Sequence, residues 1–417
     1  MRKSIPDKTL LAALAVLAVL CFLPRPVALC RAADWSFSSS VNATESYDSN
    51  VRFRSYNEED DFVTSIQPKA SLKGQTDQTL FQLDADLTGE KYINNTDLDG
   101  IYTNDEINLN HKWSEALETD VNTFFIRDST LEDELQESGV QSVKADRNRY
   151  GFGLTQIWAP WETFSVSLGG DAAKTVYPDG ERSDLTYWEL SLGPKWSLNE
   201  RDLIGANIYY QNQDYSDDTS IRNAGGLLYW QRQFDETTAF SLGAGYRLTW
   251  NEYTTGGWGI VWTNAGYRLK YMEEEEDETD DGFLFLATLN KRWTEAFNTS
   301  LSLKRDQYSS TDARSYERNQ AVAHLHYKMS DITALDCDLN YSLNTVSGTE
   351  SEDAEDVNYL CVTPAVTRRL AEDLYIQVAG SYTHQTDDYD SGDDATTERY
   401  KTWIMFTYSW PRLWENH

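Results

Sequence analysis

The chain has 417 residues, with 36 Lys and Arg against 68 Asp and Glu, for a formal net charge of −32 at pH 7. That balance excludes nucleic acid as a partner, because binding phosphates requires a basic surface. Aromatics make up 13% of the residues while the mean hydropathy is −0.61, a combination that suits short alternating strands better than apolar helices.

Arg2, Lys3 and Lys8 precede the apolar run LLAALAVLAVLCFL (10–23), and small residues follow at Ala28, Ala32 and Ala33. This layout predicts a secretory signal peptide over 1–32, with a mature chain of 33–417. Loss of Arg2, Lys3, Lys8, Arg25, Arg31 and Asp7 takes the net charge from −32 to −36. Beyond the leader no apolar run approaches the ~18 residues of a transmembrane helix. Cys337 and Cys361 then remain, expected on opposite faces of neighbouring strands and so unable to bridge.

From Trp35 onward the pattern is period two. Trp35, Phe37, Val41 and Ala43 share one face, as do Phe62, Ile66, Ala70 and Leu72. In TLFQLDADLTGEKYI (79–93), Phe81, Leu83, Ala85 and Leu87 alternate with Asp84, Asp86 and, further on, Glu90. The same alternation returns at 164–172, 204–210, 240–250 and 335–343, and in the closing run Tyr400 to Trp410. Alternation at 180° per residue means strands with one apolar face. The chain is therefore expected to be all-β.

The connections alternate in length. Short ones follow a bulky residue: Trp113 before SEAL, Trp158 before APWE, Trp196 before SLNE, Phe234 before DETT, Trp293 before TEAF. Long ones are acidic, such as YNEEDD (56–61), STLEDELQESG (129–139) and DDYDSGDDATTE (387–398). Short turns at one end and long loops at the other characterise transmembrane antiparallel up-and-down β-barrels. Counting one hairpin between successive turn markers gives about 18 strands, with 16 and 20 as the alternatives. The 234–293 interval is longer than the others, which places an insertion within 254–282: a strand extension above the membrane or a loop folded inward.

A soluble sandwich puts its apolar faces together, whereas a membrane barrel turns them to lipid and its polar faces to a lumen. Charges crowd the polar faces here, and aromatics cluster near the short turns as an interfacial girdle does. The inverted arrangement is therefore expected.

The stretch ESYDSNVRFRSYNEEDDFVTSIQPKASLKGQTDQTLFQLDADLTGEKYINN (45–95) resembles the opening of a family of bacterial outer-membrane β-barrel proteins. Members of that family are often encoded beside exopolysaccharide biosynthesis and export systems. The resemblance implies a Gram-negative outer membrane and a link to exopolysaccharide passage, with polysaccharide export components as partners. Membrane lipid, lipopolysaccharide and the barrel-assembly machinery are the other expected partners. The tail PRLWENH after FTYSW (406–410) departs from the aromatic terminus such barrels tend to have.

The expected lumen wall includes Asp84, Asp86, Glu90, Arg247, His324, His326, Asp336 and Asp338. A turn about Asp331 sets His326 opposite Asp336 and His324 opposite Asp338, close enough for imidazole–carboxylate bonds. Those residues read either as a pH- or metal-sensitive patch or as an ordinary charge ladder, the second being the stronger expectation. If 254–282 folds inward, Trp258, Trp262, Arg268 and Lys270 are the constriction candidates. The His324, His326, Asp336 and Asp338 patch has no serine in a nucleophile context beside it, Ser330 falling in the turn, so no enzyme, cofactor or metal is expected. Two functions remain: a channel or accessory for polar solutes or exopolysaccharide, or a plugged structural or adhesive barrel without transport.

Overall fold

A computed structural model describes residues 33–130, 145–180, 182–263, 266–309, 315–346, 355–389 and 394–416. The strands are β1 (Asp34–Asp48), β2 (Asp61–Gln75), β3 (Thr79–Tyr92), β4 (Gly100–Ser114), β5 (Leu117–Ser129), β6 (Asp146–Trp161), β7 (Phe164–Val176), β8 (Leu185–Ser197) and β9 (Asp202–Tyr215). They continue as β10 (Ser220–Asp235), β11 (Thr238–Thr263), β12 (Gly266–Arg292), β13 (Phe297–Ser309), β14 (Ser315–Ser330), β15 (Thr333–Val346), β16 (Glu355–Ala371), β17 (Leu374–Tyr389) and β18 (Ala395–Asn416). A single 3-10 turn, Thr96–Leu98, interrupts the loop between β3 and β4.

Each strand pairs antiparallel with the next, and β1 pairs with both β2 and β18, so the 18-stranded sheet closes on itself. Closure satisfies every edge, as the bilayer requires of a spanning sheet. The shortest strands have 13 residues, which cover about 30 Å of membrane normal at the usual tilt. The strand count and the antiparallel barrel agree with the turn spacing in the sequence.

The short connections are 76–78, 115–116, 162–163, 198–201, 236–237, 293–296, 331–332 and 372–373. Trp35 lies opposite Asn416, so the start of β1 and the end of β18 sit at this turn end. Trp113, Trp158, Trp161, Trp196, Trp293 and Trp410 are exposed beside these turns, and with Phe234, Met329 and Leu370 they ring the barrel. Above them Phe62, Ile66, Leu87, Leu168, Leu190, Ile208, Leu228, Leu242, Val378 and Ile404 point outward.

Side chains buried below a tenth exposure include Asp48, Asn50, Asp61, Arg147, Asn223, Arg247, Thr249, Ser342, Asn344, Thr383 and Arg399. Apolar outside and polar inside is the inversion that a membrane barrel shows. In the strand over 79–92, Ala85 and Leu87 are exposed on the lipid side, while Asp84, Asp86 and Glu90 alternate with them. Lys91, on the lipid side at the loop end, bonds Asp99.

The insertion is the strand extension. β11 and β12 stay paired to the tip, Thr263 against Gly266. Trp258 pairs with Tyr271, Trp262 with Tyr267, Arg268 with Val261 and Lys270 with Gly259, so the segment is a paired hairpin that continues β11 and β12. The side chains of those four candidates lie outside the described residues, as does the leader over 1–32.

Candidate functional site

The lumen wall can be read from the register. On β1 the inward residues are Ser36, Ser38, Ser40, Asn42, Thr44 and Ser46, set against Lys73, Ser71, Lys69, Gln67, Ser65 and Val63 of β2. Small hydroxyls and amides leave room beside them. The wall is wet toward the turns, where the side chains of His324 and Asp338 are 46% and 60% exposed.

Toward the loop ends the inward residues are closed off. Asn50, Thr130, Thr249, Ser342 and Asn344 have no exposure, and Ile221, Asn223, Val357 and Tyr359 have 1%. They lie on β10, β11, β15 and β16 and in the connections after β1 and β5, so the lumen is filled at the loop end beside those strands.

The described filler on one side is the loop 49–60, between β1 and β2. Phe53 packs on Tyr359, with Cys361 beside it, on the inner face of β16. Val51 joins Val63, Tyr92 and Leu98 in a second apolar cluster. The loop thus reaches inward to β16 on one flank and to the β3–β4 connection on the other.

Polar bonds fix this loop at each step. Arg399 Nε donates to both Asp48 oxygens at 3.0 and 2.9 Å, and the two side chains are only 6% and 2% exposed. Asn50 Nδ2 donates to the carbonyls of Arg54 (2.8 Å) and Glu398 (3.1 Å), and its Oδ1 accepts from Arg54 N at 3.0 Å. Arg52 bonds Glu59 at 2.9 Å and Asp97 at 2.6 Å. The Asp97 bond, followed by that to Glu59, raises the Arg52 pKa above its ordinary value. Asp61 accepts from the backbone N–H groups of Asn94 (2.9 Å) and Asn95 (2.7 Å), pinning the next loop. Phe53 and Asn57 hold φ of 48° and 52°. A left-handed phenylalanine is unfavourable and persists only where packing over-determines it.

The expected lumen residues fall as follows. Asp86 bonds Lys69 at 2.8 Å and Gln67 at 2.8 Å, and Gln82 donates to Asp84 at 2.7 Å. Arg247, 2% exposed, bonds Asp280 at 3.1 Å and Thr249 at 2.6 Å, and Thr249 donates to Asn223 at 2.6 Å. His324 lies opposite Asp338 and His326 opposite Asp336, each Nδ1···Oδ1 at 2.6 Å. They form two separate cross-strand pairs, and among the described residues no group of three or more His, Cys, Asp or Glu is placed to hold a metal.

Glu90 and Asp338 meet across one cavity of ≈ 540 Å³, with Tyr359, Cys361, Arg399, Lys401 and Trp403 in its wall. Cys361 faces this cavity, Cys337 sits on the opposite face between Leu335 and Leu339, and both are free.

Sequence reasoning did not single out Asp48, Asn50, Phe53, Tyr359 or Arg399. The available signal was Val51 and Phe53 inside an otherwise polar and acidic loop, apolar groups that such a loop exposes only at a cost. It also did not find the ion pairs of Arg147 with Asp128 (2.8 Å) and Arg318 with Asp306 (2.9 Å).

No protein-family model matches the chain. It is 22% identical over 216 residues to the outer membrane usher protein PapC of Escherichia coli, a match covering 50% of this chain and 24% of that protein. The chain therefore spans about a quarter of that relative's length. Among solved structures it is similar to OccK2 (OpdF) of Pseudomonas aeruginosa in complex with glucuronate, at 12% identity and TM-score 0.48, covering 91% of this chain and 98% of that one. It is similar to Acinetobacter baumannii OccAB1 at 11% identity and TM-score 0.48, covering 92% and 97%. The ferric citrate transporter FecA aligns at 10% identity and TM-score 0.49, covering 86% of this chain and 60% of that one.

Proposed function

We propose that the protein is an outer-membrane channel of a Gram-negative bacterium that passes polar solutes through a lumen narrowed at its loop end. The observation that carries the reading is the graded wall: exposed hydrophilic side chains toward the turns and a buried polar ring toward the loops. A barrel kept only as a scaffold has no need of the wet half. The loop 49–60 is the narrowing element, and the extended hairpin of β11 and β12 is a second contributor through Trp258, Trp262, Arg268 and Lys270.

Carbohydrate suits this wall. The hydroxyl and amide row on β1 and β2 and the ring of Trp403 supply the bonds and apolar face that sugars use. The N-terminal resemblance supports exopolysaccharide, or shorter pieces of it, as the cargo, with export components as partners. Lipopolysaccharide and membrane lipid surround the barrel in this reading, and the assembly machinery inserts it.

The test is planar-bilayer recording on the refolded chain. Small stable steps are expected, and they grow when 51–58 is removed. Absence of any step, before and after that removal, sinks the channel reading in favour of a plugged surface barrel. Removing 256–270 enlarges the steps if the hairpin contributes; unchanged steps end its part.

A further inference from the structure

Charge on the lumen wall is unevenly paired. Between the two mouths, acids hold the inward bases: Lys69 bonds Asp86 at 2.8 Å, and Arg247 bonds Asp280 at 3.1 Å. Arg147 and Arg149 share Asp128 at 2.8 and 2.6 Å, and Lys304 and Arg318 share Asp306. Asp336 and Asp338 add two more acids beside the last group, each bonded to a histidine. The positive charge of these bases is thus largely cancelled within the wall.

The acids on the arc from β3 to β8 differ. Asp84, Glu106, Asp120, Asp171 and Glu189 alternate inward there. Among the described residues none of the five forms an ion pair. Four take bonds from neutral donors: Gln82 to Asp84 at 2.7 Å, Asn122 to Glu106 at 2.6 Å, Asn110 to Asp120 at 2.5 Å and Tyr187 to Glu189 at 2.7 Å. A neutral donor holds a carboxylate in place without cancelling its charge. Asp171 leans over Gly153 instead, its Oδ1 2.5 Å from where a Cβ on that glycine would lie. Asp120 and Asp171 open on one recess of ≈ 150 Å³. Asp84 stands directly opposite Glu106, and Asp171 directly opposite Glu189, an opposition of like charges that destabilises a sheet.

The mouth at the turns does not reverse this sign. Lys112, Arg292, Lys328 and Arg369 are inward there by register. Each stands three residues before a turn acid, in the order Glu115, Glu295, Asp331 and Glu372. Lys328 closes on its acid, Asp331, at 2.8 Å. At the other end the loop 49–60 carries the acids of YNEEDD. A solute therefore meets its strongest uncompensated charge on the β3–β8 arc, and that charge is negative.

Resting on the channel reading above, we infer that this arc of carboxylates makes the lumen selective for cations, with organic amines the favoured class of charged solute and anions retarded. Carboxylates along a pore wall raise the local concentration of cations and repel anions. Across a water-filled lumen the preference is graded, and it fades as salt shortens the reach of each charge from about 10 Å at 0.1 M to about 3 Å at 1 M. A sugar chain suited to this wall is neutral or bears amines, and a chain of uronates is disfavoured. The specificity-determining residues are the five acids.

Planar-bilayer recording of the full chain under a potassium chloride gradient tests this. The zero-current voltage should report a potassium-to-chloride permeability ratio severalfold above one in dilute salt, and closer to one in molar salt. The cation should stay favoured when ethanolammonium replaces potassium. Amide replacement of the acids (Asp84→Asn, Glu106→Gln, Asp120→Asn, Asp171→Asn, Glu189→Gln) should bring the ratio down towards one. Asp171→Asn with Glu189→Gln alone should lower it part of the way, which keeps the test intact if the five-site variant does not refold. Lys69→Gln, which releases Asp86 from its partner, should raise it. A wild-type ratio at or below one, or a ratio unmoved by the acid-to-amide variants, overturns the inference while stable steps leave the channel reading standing. Absence of any step, before and after removal of 51–58, marks failure of the channel reading itself, and the inference falls with it.

Discussion

Replacing Asp48 by Asn removes one charge and almost no volume from the anchor of the inward loop. Arg399 then keeps a guanidinium whose side chain is 6% exposed, beside a neutral amide. Removing one partner of a buried ion pair costs about 3–5 kcal/mol, because the remaining charge has neither water nor counter-ion. The Asn50 N–H bond to position 48, 3.0 Å long, survives on an amide oxygen, so the loss is electrostatic. Unfolding of the refolded barrel in urea, followed by tryptophan fluorescence, reads the cost. If the loss is confined to the loop, a cost of about 3 kcal/mol raises its open population by roughly two decades, and bilayer recording shows longer or larger openings. Asp48→Asn combined with Arg399→Gln should recover most of the loss, since two amides bond each other without a stranded charge. As a control, Asp331→Asn breaks a 2.8 Å pair with Lys328 that lies in the open, and it should leave the midpoint in place. A loss below about 1 kcal/mol for Asp48→Asn, or a double variant worse than either single change, refutes the reasoning.

Phe53→Cys should form a disulfide with Cys361 on mild oxidation, because Phe53 packs in the cluster that Cys361 borders; the product is a faster gel band and a channel held shut until reductant is added, and no cross-link means the loop does not occupy the β16 wall. Zinc at micromolar levels should change neither conductance nor unfolding, because His324–Asp338 and His326–Asp336 are two-donor pairs set about 7 Å apart along their strands; tight binding that is lost on replacing both histidines contradicts that geometry. The bond from Lys91, followed by that from the Tyr92 N–H, holds the Asp99 carboxyl below its ordinary range. A lowered folded-state pKa contributes stability above the ordinary carboxylate value and loses it as pH falls through the folded one. Proteolysis within 93–99 should therefore rise only at strongly acidic pH, and in Asp99→Asn it should be raised at neutral pH too.

What the sequence made legible follows from what two-residue periodicity can carry. Alternation at Phe81–Leu87 or Leu335–Leu343 states which face meets lipid, because a spanning strand has one solvent on each side. The turn about Asp331 fixed the opposition of His324 with Asp338 from integer spacing alone, since a register slip turns every side chain over. The extended hairpin within 254–282 was ambiguous because GGWG and EEEEDE do not alternate; there pairing with the opposite strand, and not side-chain preference, sustains the sheet. The loop 49–60 was illegible for a deeper reason. Its conformation is set by Arg399, Glu398 and Tyr359, which are joined to it by closure of the barrel and lie some three hundred residues away in the chain. No local pattern reports a partner at that separation. A loop of acids and arginines with two apolar residues at Val51 and Phe53 nevertheless carries a usable inference. In a barrel whose outside already holds the apolar surface, the place left to bury a loop's own apolar groups is the lumen, and the buried Asp48–Arg399 pair is the electrostatic cost of tethering it there.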